Sequence, residues 1–218
     1  MTSLYRIVFL LSMSLIIVVH TNAQDKAAAI LENFSEKTKQ YEPFKADFQF
    51  KHLDREQNET SNMDGTVYMK NDMYKLNLPG SEIYSNGKNT WQYLEDMNEV
   101  TITKNQAQEG SLLNNPSEIF TLYKKDFKYK FHQETSINGK TYYEVDLFPK
   151  KPDEKNYSRI RLRISNHNMQ LAHASIFGKD GTRIHINITS FSPNQDVGEE
   201  FFTFRPQKHP DVEINDMR

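Results

Sequence analysis

Residues 83–103 decide the fold of this chain, and they read Ile-Tyr-Ser-Asn-Gly-Lys-Asn-Thr-Trp-Gln-Tyr-Leu-Glu-Asp-Met-Asn-Glu-Val-Thr-Ile-Thr. The Asn-Gly pair at 86–87 predicts a two-residue hairpin turn, because both residues reach positive φ at low cost. Large apolar residues then alternate with polar ones. The apolar residues are Trp91 and Tyr93 before a second turn, and Val100 and Ile102 after it. Side chains alternate across a strand, so the segment predicts an antiparallel meander with these four residues on one face.

The same alternation recurs along most of the chain, which predicts about ten or eleven strands. The further alternating segments are 44–50, 67–69, 74–78, 129–131, 143–147, 160–164, 169–177, 184–188 and 202–204. A single antiparallel sheet of that length must curl. One helix over residues 25–41 and one short helix beginning at Asn115 supply too little surface to cover it. We therefore predict a mainly β (α+β) fold with a concave apolar slot, whose geometry suits a ligand-binding protein.

The short helix that follows Asn115 and Pro116 is unusually apolar for about two turns. One interpretation is an ordinary connector that packs into the core. The other is a lid over the slot, because lids come from short, weakly anchored elements.

The N-terminus and the composition define the class of protein. Residues 1–23 combine an early arginine, an apolar run and a small residue before a cleavage point, which is typical of a signal peptide; an uncleaved anchor is the alternative. Residues 24–218 are then expected to form a single domain. The chain has no cysteine, which excludes disulfides and a lipid attached through a thioether. Its net charge of −2 does not indicate nucleic-acid binding.

Catalytic and metal-binding patterns are missing from the sequence, so an enzyme is not expected and no cofactor is assigned. No serine-elbow, phosphate-loop or zinc-protease motif occurs. His173 and His185 lie on neighbouring predicted strands, but ordinary surface or half-buried histidines are the default interpretation. Arg159, Arg161 and Arg163 form a basic stripe on the outer face; it is either a solvated surface or a docking site for an acidic partner.

Several motifs resemble those of the periplasmic lipoprotein carrier LolA family. The segment Ser-Asn-Gly-Lys-x-x-Trp-x-Tyr at 85–93 is followed by Asn-Glu-Val at 98–100, and the chain ends with Phe-x-Phe-x-Pro at 202–206 and Val-x-Ile-x-Asp at 212–216. The N-terminal helix, the hairpin at 64–78 and the Pro116 helix occur in the same order as in that family. The resemblance covers nearly all of the chain after residue 23.

This resemblance implies an unclosed half-barrel with short lid helices over its concave face. The expected function is that of a soluble monomeric periplasmic carrier, which shields lipoprotein acyl chains between the inner and outer membranes. Its expected partners are outer-membrane-directed lipoproteins, an inner-membrane lipoprotein-releasing ABC transporter and an outer-membrane acceptor. The resemblance assigns to the acyl-binding surface Tyr74, Leu76, Trp91, Tyr93, Ile119, Phe120 and Leu122. Alternation alone adds Phe48, Phe50, Ile160, Leu162, Ile184 and Ile186.

One position departs from the family pattern. The resemblance implies an arginine that hydrogen-bonds the lid, directly after the lysine of the strand that precedes the central hairpin. Here the lysine is Lys70 and the next residue is Asn71, so either the latch differs or Lys70 replaces it.

Two alternatives to a carrier stay open at this stage. A domain of the same fold could sense lipid or serve as a structural periplasmic protein. The structural protein would have a filled core, and the ordinary interpretation of Trp91 and its neighbours is that they fill a closed core.

Overall fold

The computed structural model describes residues 23–104 and 127–218, which form one α-helix and a twelve-stranded sheet. The helix α1 spans Ala23–Tyr41. The strands are β1 Phe44–Leu53, β2 Glu59–Lys70, β3 Met73–Leu78, β4 Ser81–Ser85, β5 Asn89–Leu94, β6 Glu99–Lys104, β7 Phe127–Ile137, β8 Lys140–Pro149, β9 Tyr157–Ser165, β10 Leu171–Gly178, β11 Arg183–Ser192 and β12 Glu213–Asp216. Short 3₁₀ turns occur at Pro152–Glu154, Glu199–Phe202 and Pro206–Lys208.

The sheet consists of two antiparallel meanders, β1–β6 and β7–β11. They are joined by the antiparallel pairing of β1 with β11. The strand order ends with β12 on one side and β7 on the other, and these two strands are not paired, so the sheet is open. The prediction of one long, curled, unclosed sheet is confirmed.

The C-terminal region differs from the predicted pattern. Residues expected to be irregular form β12, which adds to β6 in parallel and raises the strand count to twelve. The strand expected at 202–204 does not form. A 3₁₀ turn stands at Glu199–Phe202, and the Phe202 and Phe204 side chains are buried by packing and not by strand pairing.

Helix α1 packs on one face of the sheet, which we call the inner face. Ala27, Ile30, Leu31 and Phe34 lie on one stripe of the helix and are buried against β7–β10. The Tyr41 hydroxyl donates a hydrogen bond to the Asn168 carbonyl at 2.9 Å, which fixes the end of the helix to the turn between β9 and β10.

The strand register carries this inner face across both meanders, because directly paired residues point to the same side of an antiparallel sheet. Ala46 pairs with Val67, and Val67 pairs with Leu76. On the other side of β1, Phe50 pairs with Ile186. The opposite side of the sheet is the outer face.

The turn after β4 is displaced by one residue from its predicted position. The Asn86 backbone N–H donates to the Asn89 carbonyl at 3.2 Å, so Gly87 and Lys88 are the central residues. Gly87 adopts a φ of +83° there, which glycine reaches without steric cost.

Candidate functional site

A cluster of apolar side chains covers the inner face of β1–β4, and we call it the apolar floor. It consists of Phe44, Ala46, Phe48, Phe50, Val67, Met69, Tyr74, Leu76 and Ile83. Within the described ranges, the residues packed against it belong to the same sheet or its turns, with the exception of Tyr41 at the end of α1. All nine floor side chains are buried, and α1 contributes one residue, Tyr41, to the apolar packing against them.

Four of the predicted acyl-binding residues belong to the floor. Phe48, Phe50, Tyr74 and Leu76 are all buried in this one cluster. The other five floor residues were not predicted as acyl-binding, although their alternation was the available signal. Ile184 and Ile186 are half-buried and border both the floor and the cluster beneath α1.

Two predicted residues, Ile160 and Leu162, lie elsewhere on the inner face. Both are fully buried in the cluster that contains the apolar stripe of α1. The protein's own helix packs on that half of the sheet, so these two side chains do not belong to the floor.

Trp91 and Tyr93 were predicted to share a surface with Tyr74 and Leu76, and this prediction is wrong. Leu76 pairs with Ile83, whereas Trp91 pairs with Tyr84, the next residue along β4. Successive residues of a strand point to opposite faces, so Trp91 and Tyr93 lie on the outer face.

Protein side chains cover this outer aromatic group. Trp91, Tyr93, Val100 and Ile102 do share one face, as the alternation predicted, and they form a cluster with Tyr84 and Phe204. The ring centroids of Phe204 and Tyr93 are 5.3 Å apart, and those of His209 and Tyr93 are 4.4 Å apart. The C-terminal segment thus fills the place that a ligand was expected to occupy over Trp91.

Gly65 shapes one end of the floor. It pairs with Phe48, and a Cβ atom at this position would lie 2.4 Å from the Phe48 ring and 2.9 Å from the Leu78 side chain. The missing side chain lets the aromatic ring rest directly on the backbone of β2.

The two residues predicted to form the lid latch lie at the turn between β2 and β3. Lys70 follows Met69 of the floor and therefore points to the outer face. The Asn71 backbone N–H donates to Glu42 Oε2 at 2.6 Å. Burial raises the pKa of Glu42, although this hydrogen bond acts in the opposite direction. Asn71 therefore ties its turn to the connection between α1 and β1.

The predicted lid helix, with Ile119, Phe120 and Leu122, lies outside the described residues. The chain leaves the described part at Lys104 in β6 and returns at Phe127 in β7. These two strands lie near opposite ends of the strand order.

The arginine stripe on the outer face is paired with carboxylates of the same chain. Arg161 donates two hydrogen bonds to Asp146, at 2.7 and 2.9 Å, and Arg163 donates two to Glu144, at 2.9 and 2.8 Å. Arg159 lies 3.4 Å from Asp146. Burial alone would raise the pKa of Glu144, but the hydrogen bonds and charges around it lower the pKa overall. These buried carboxylates largely neutralise the stripe, so it presents little free charge to a partner.

The two histidines belong to a hydrogen-bonded group that we call the histidine–serine network. Ser175 Oγ lies 2.7 Å from His173 Nε2 and 2.9 Å from His185 Nδ1, and His173 Nδ1 lies 2.6 Å from Asn187 Oδ1. Burial lowers the pKa of both imidazoles. Over 23–104 and 127–218, no three histidine, aspartate or glutamate side chains are grouped to hold a metal ion.

A cleft of about 350 Å³ separates part of the C-terminal segment from the outer face. Its walls include Lys75, Tyr84, Glu200, Arg205 and His209. Charged groups of both signs line it, which makes it a poor site for an acyl chain.

Comparisons with known structures show the fold. An uncharacterized conserved protein from Thermus thermophilus superposes with a TM-score of 0.62 at 12% identity, covering 88% of this chain and 99% of that one. A DUF1329 family protein from Desulfovibrio piger superposes with a TM-score of 0.53 at 12% identity, covering 84% and 98%.

A LolA superfamily protein from Nitrosomonas europaea has a TM-score of 0.45 at 15% identity, covering 82% of this chain and 97% of that one. No curated protein sequence matches the chain. Among the described helices, none has the length and apolarity needed to cross a bilayer.

The sequence profile of one family spans most of the chain. The profile described as outer membrane lipoprotein carrier protein LolA matches residues 39–205, a range that contains the whole apolar floor and every described strand from β1 to β11. The resemblance seen in the central hairpin is therefore confirmed, and this chain belongs to the LolA family.

Proposed function

We propose that this protein is a soluble periplasmic carrier that binds the acyl chains of lipoproteins on the apolar floor and moves them from the inner to the outer membrane. The observation that carries the proposal is the uneven cover of the inner face. Helix α1 packs on the β7–β10 half, whereas the floor on β1–β4 contacts only Tyr41 of that helix.

The composition of the floor suits an acyl chain. Its nine side chains are apolar apart from one tyrosine hydroxyl, and four of them are aromatic. Burying one methylene contributes about 0.8 kcal/mol of favourable free energy. Moving an acyl chain of about 16 carbons from water onto an apolar surface therefore contributes on the order of 12 kcal/mol. Met69, near the end of β2, adds an adaptable side chain, which favours a surface that accepts and releases hydrocarbon.

The proposed cellular role includes partners and a compartment. The signal-peptide pattern of residues 1–23 supports export to the periplasm. Membership in the LolA family supports outer-membrane-directed lipoproteins as cargo, an inner-membrane ABC transporter as donor and an outer-membrane protein as acceptor. No catalytic step is part of this proposal.

Acyl-chain binding is tested with a fluorescent fatty-acyl probe and the purified mature protein. Saturable binding to the wild type is expected, and Leu76→Glu should abolish it because the new carboxylate lies in the middle of the floor. Gln49→Glu adds the same charge on the outer face of β1 and should leave binding unchanged. Thermal unfolding establishes that each variant is folded.

Carrier activity is tested by the release of newly made lipoproteins from spheroplasts. The wild-type protein should release them into the soluble fraction, and the Leu76→Glu variant should not. Release that does not differ between the wild type and buffer alone would refute the carrier role.

A further inference from the structure

The inner face does not stay apolar to the end of the sheet. Two cross-strand rows can be followed from β1 to β6, and a third from β3 to β6. The first contains Phe44, Met69, Tyr74, Ser85, Thr90 and Thr103; the second contains Ala46, Val67, Leu76, Ile83, Gln92 and Thr101. The third, near the loops, contains Leu78, Ser81, Leu94 and Glu99. The first two rows begin with apolar residues and end with polar ones.

The change occurs at β4, where both faces are covered. Ile83 points to the inner face and Tyr84 to the outer face, and both are buried. Beyond this strand the large apolar residues are on the outer face, beneath the C-terminal segment, with the exception of Leu94, which lies on the inner face at the end of β5. The inner face of β5 and β6 therefore carries Thr90, Gln92, Thr101 and Thr103, which we call the polar strip.

The polar strip is neutral and directly continuous with the apolar floor. It consists of three hydroxyl side chains and one amide, with Gln92 exposed and the three threonines half-buried. These groups donate and accept hydrogen bonds without carrying charge. Glu99 lies on the same face, and its Oε1 is 3.5 Å from the Thr101 hydroxyl.

Ser81 marks the boundary between the two surfaces. Its Oγ atom is buried and has no hydrogen-bond partner among the described residues. Its side chain points to the inner face, since it pairs with Leu78 on β3 and Leu94 on β5. A buried hydroxyl without a partner is unfavourable, so a ligand carbonyl placed at this boundary would gain a hydrogen bond.

We infer that the bound acyl group is oriented along the sheet, with the polar linkage to its carrier on the strip and its hydrocarbon on the floor. This inference rests on the proposed function and adds the orientation of the ligand. An anionic phospholipid headgroup fits less well, because the strip has no cation and lies beside Glu99.

The orientation is tested by NMR with a tripalmitoylated cysteinyl peptide that carries a nitroxide at one of two places. A nitroxide on the peptide should broaden the amide signals of Thr101 and Thr103 most strongly. A nitroxide at the end of an acyl chain should broaden those of Ala46 and Val67 instead. The two patterns are expected to be opposite because the strip and the floor lie at different strands of one face.

Each outcome of this experiment is decisive. A peptide label that broadens the floor as strongly as the strip, or leaves the strip unaffected, overturns the inference even though the acyl label still broadens the floor. If neither label broadens any inner-face signal, the proposed acyl-binding function falls, and the inference falls with it.

A substitution series tests the chemistry of the strip. The double variant Thr101→Val and Thr103→Val keeps β-branched side chains but removes two hydroxyls, so affinity for the acylated peptide should fall about tenfold. Affinity for palmitate should stay unchanged, and so should the peptide affinity of the outer-face control Thr66→Val. Equal losses for the peptide and palmitate, or a preference for phosphatidylglycerol vesicles over the peptide, would refute the polar specificity.

Discussion

A brominated acyl chain should leave the fluorescence of the natural protein unchanged, although the chain sits in an aromatic-rich site. The protein has one tryptophan, Trp91, and it lies on the outer face of β5 beneath Phe204. The floor is centred on β1–β3. Adjacent strands lie about 4.8 Å apart, so β1 and β5 are separated by about 19 Å along the sheet. The backbone layer lies between the two faces, and bromine quenches indole only near contact.

A second variant places the fluorophore on the floor. Trp91→Phe combined with Phe48→Trp moves the indole onto the inner face of β1, next to Gly65. The larger ring should cost about 1–3 kcal/mol of stability, which leaves a folded protein to be verified by thermal unfolding. Titration with dibrominated stearate should then quench most of the emission, whereas plain stearate should not.

The comparison of these two proteins can refute the assignment of faces. Strong quenching of Trp91 in the wild type would place the ligand on the outer face. Quenching of neither protein, at concentrations where a fluorescent acyl probe is displaced, would show that the hydrocarbon does not reach β1.

Three further predictions concern the outer face. Phe204→Ala should lower the free energy of unfolding by about 3–5 kcal/mol in urea titrations, whereas Phe148→Ala, at an exposed position, should cost much less. Arg161→Ala leaves the Asp146 carboxylate buried with only longer contacts to Arg159 and His132, so the free energy of unfolding should fall by about 3 kcal/mol. Adding Asp146→Asn removes the unpaired charge and should recover part of this loss. Burial lowers the pKa of both imidazoles of the histidine–serine network, so on acidification these groups bind protons in the unfolded chain before they do so in the folded protein. The free energy of unfolding should therefore fall as the pH drops below about 6.5, and this fall should be smaller in His173→Asn.

Alternation in the sequence predicted the strands and the inner-face residues of β1 and β3, because polarity reports directly which side of a strand is covered. The family resemblance assigned Trp91 to the acyl-binding surface, and this assignment is wrong because it did not follow the register from one strand to the next. The two-residue turn at Pro79-Gly80 pairs Leu78 with Ser81, and this fixes Ile83 opposite Leu76. The turn between β4 and β5 also has two residues, and it places Trp91 opposite Tyr84. Following both turns along the sequence therefore puts Trp91 and Tyr93 on the face opposite to the floor.

Other features could not be read from local pattern. The pairing of β1 with β11, and the addition of β12 to β6, depend on contacts between distant parts of the chain. The carboxylate partners of the arginine stripe likewise come from β8, and Arg161 and Arg163 meet them only when the register is known. The sequence showed a charged strand, whereas the structure shows neutralised ion pairs.

The pairing of β1 with β11 has a consequence for biogenesis. Strand β1 is paired on both sides only after β11, at Arg183–Ser192, has been synthesised. Most of the polypeptide must therefore be present before the sheet can be completed. Pairing between strands that are distant in sequence slows folding, and until it occurs one edge of β1 has unpaired backbone hydrogen-bonding groups that favour aggregation. With the proposed export of an unfolded chain, this delay would keep the protein export-competent until the segment that forms β11 has crossed the membrane.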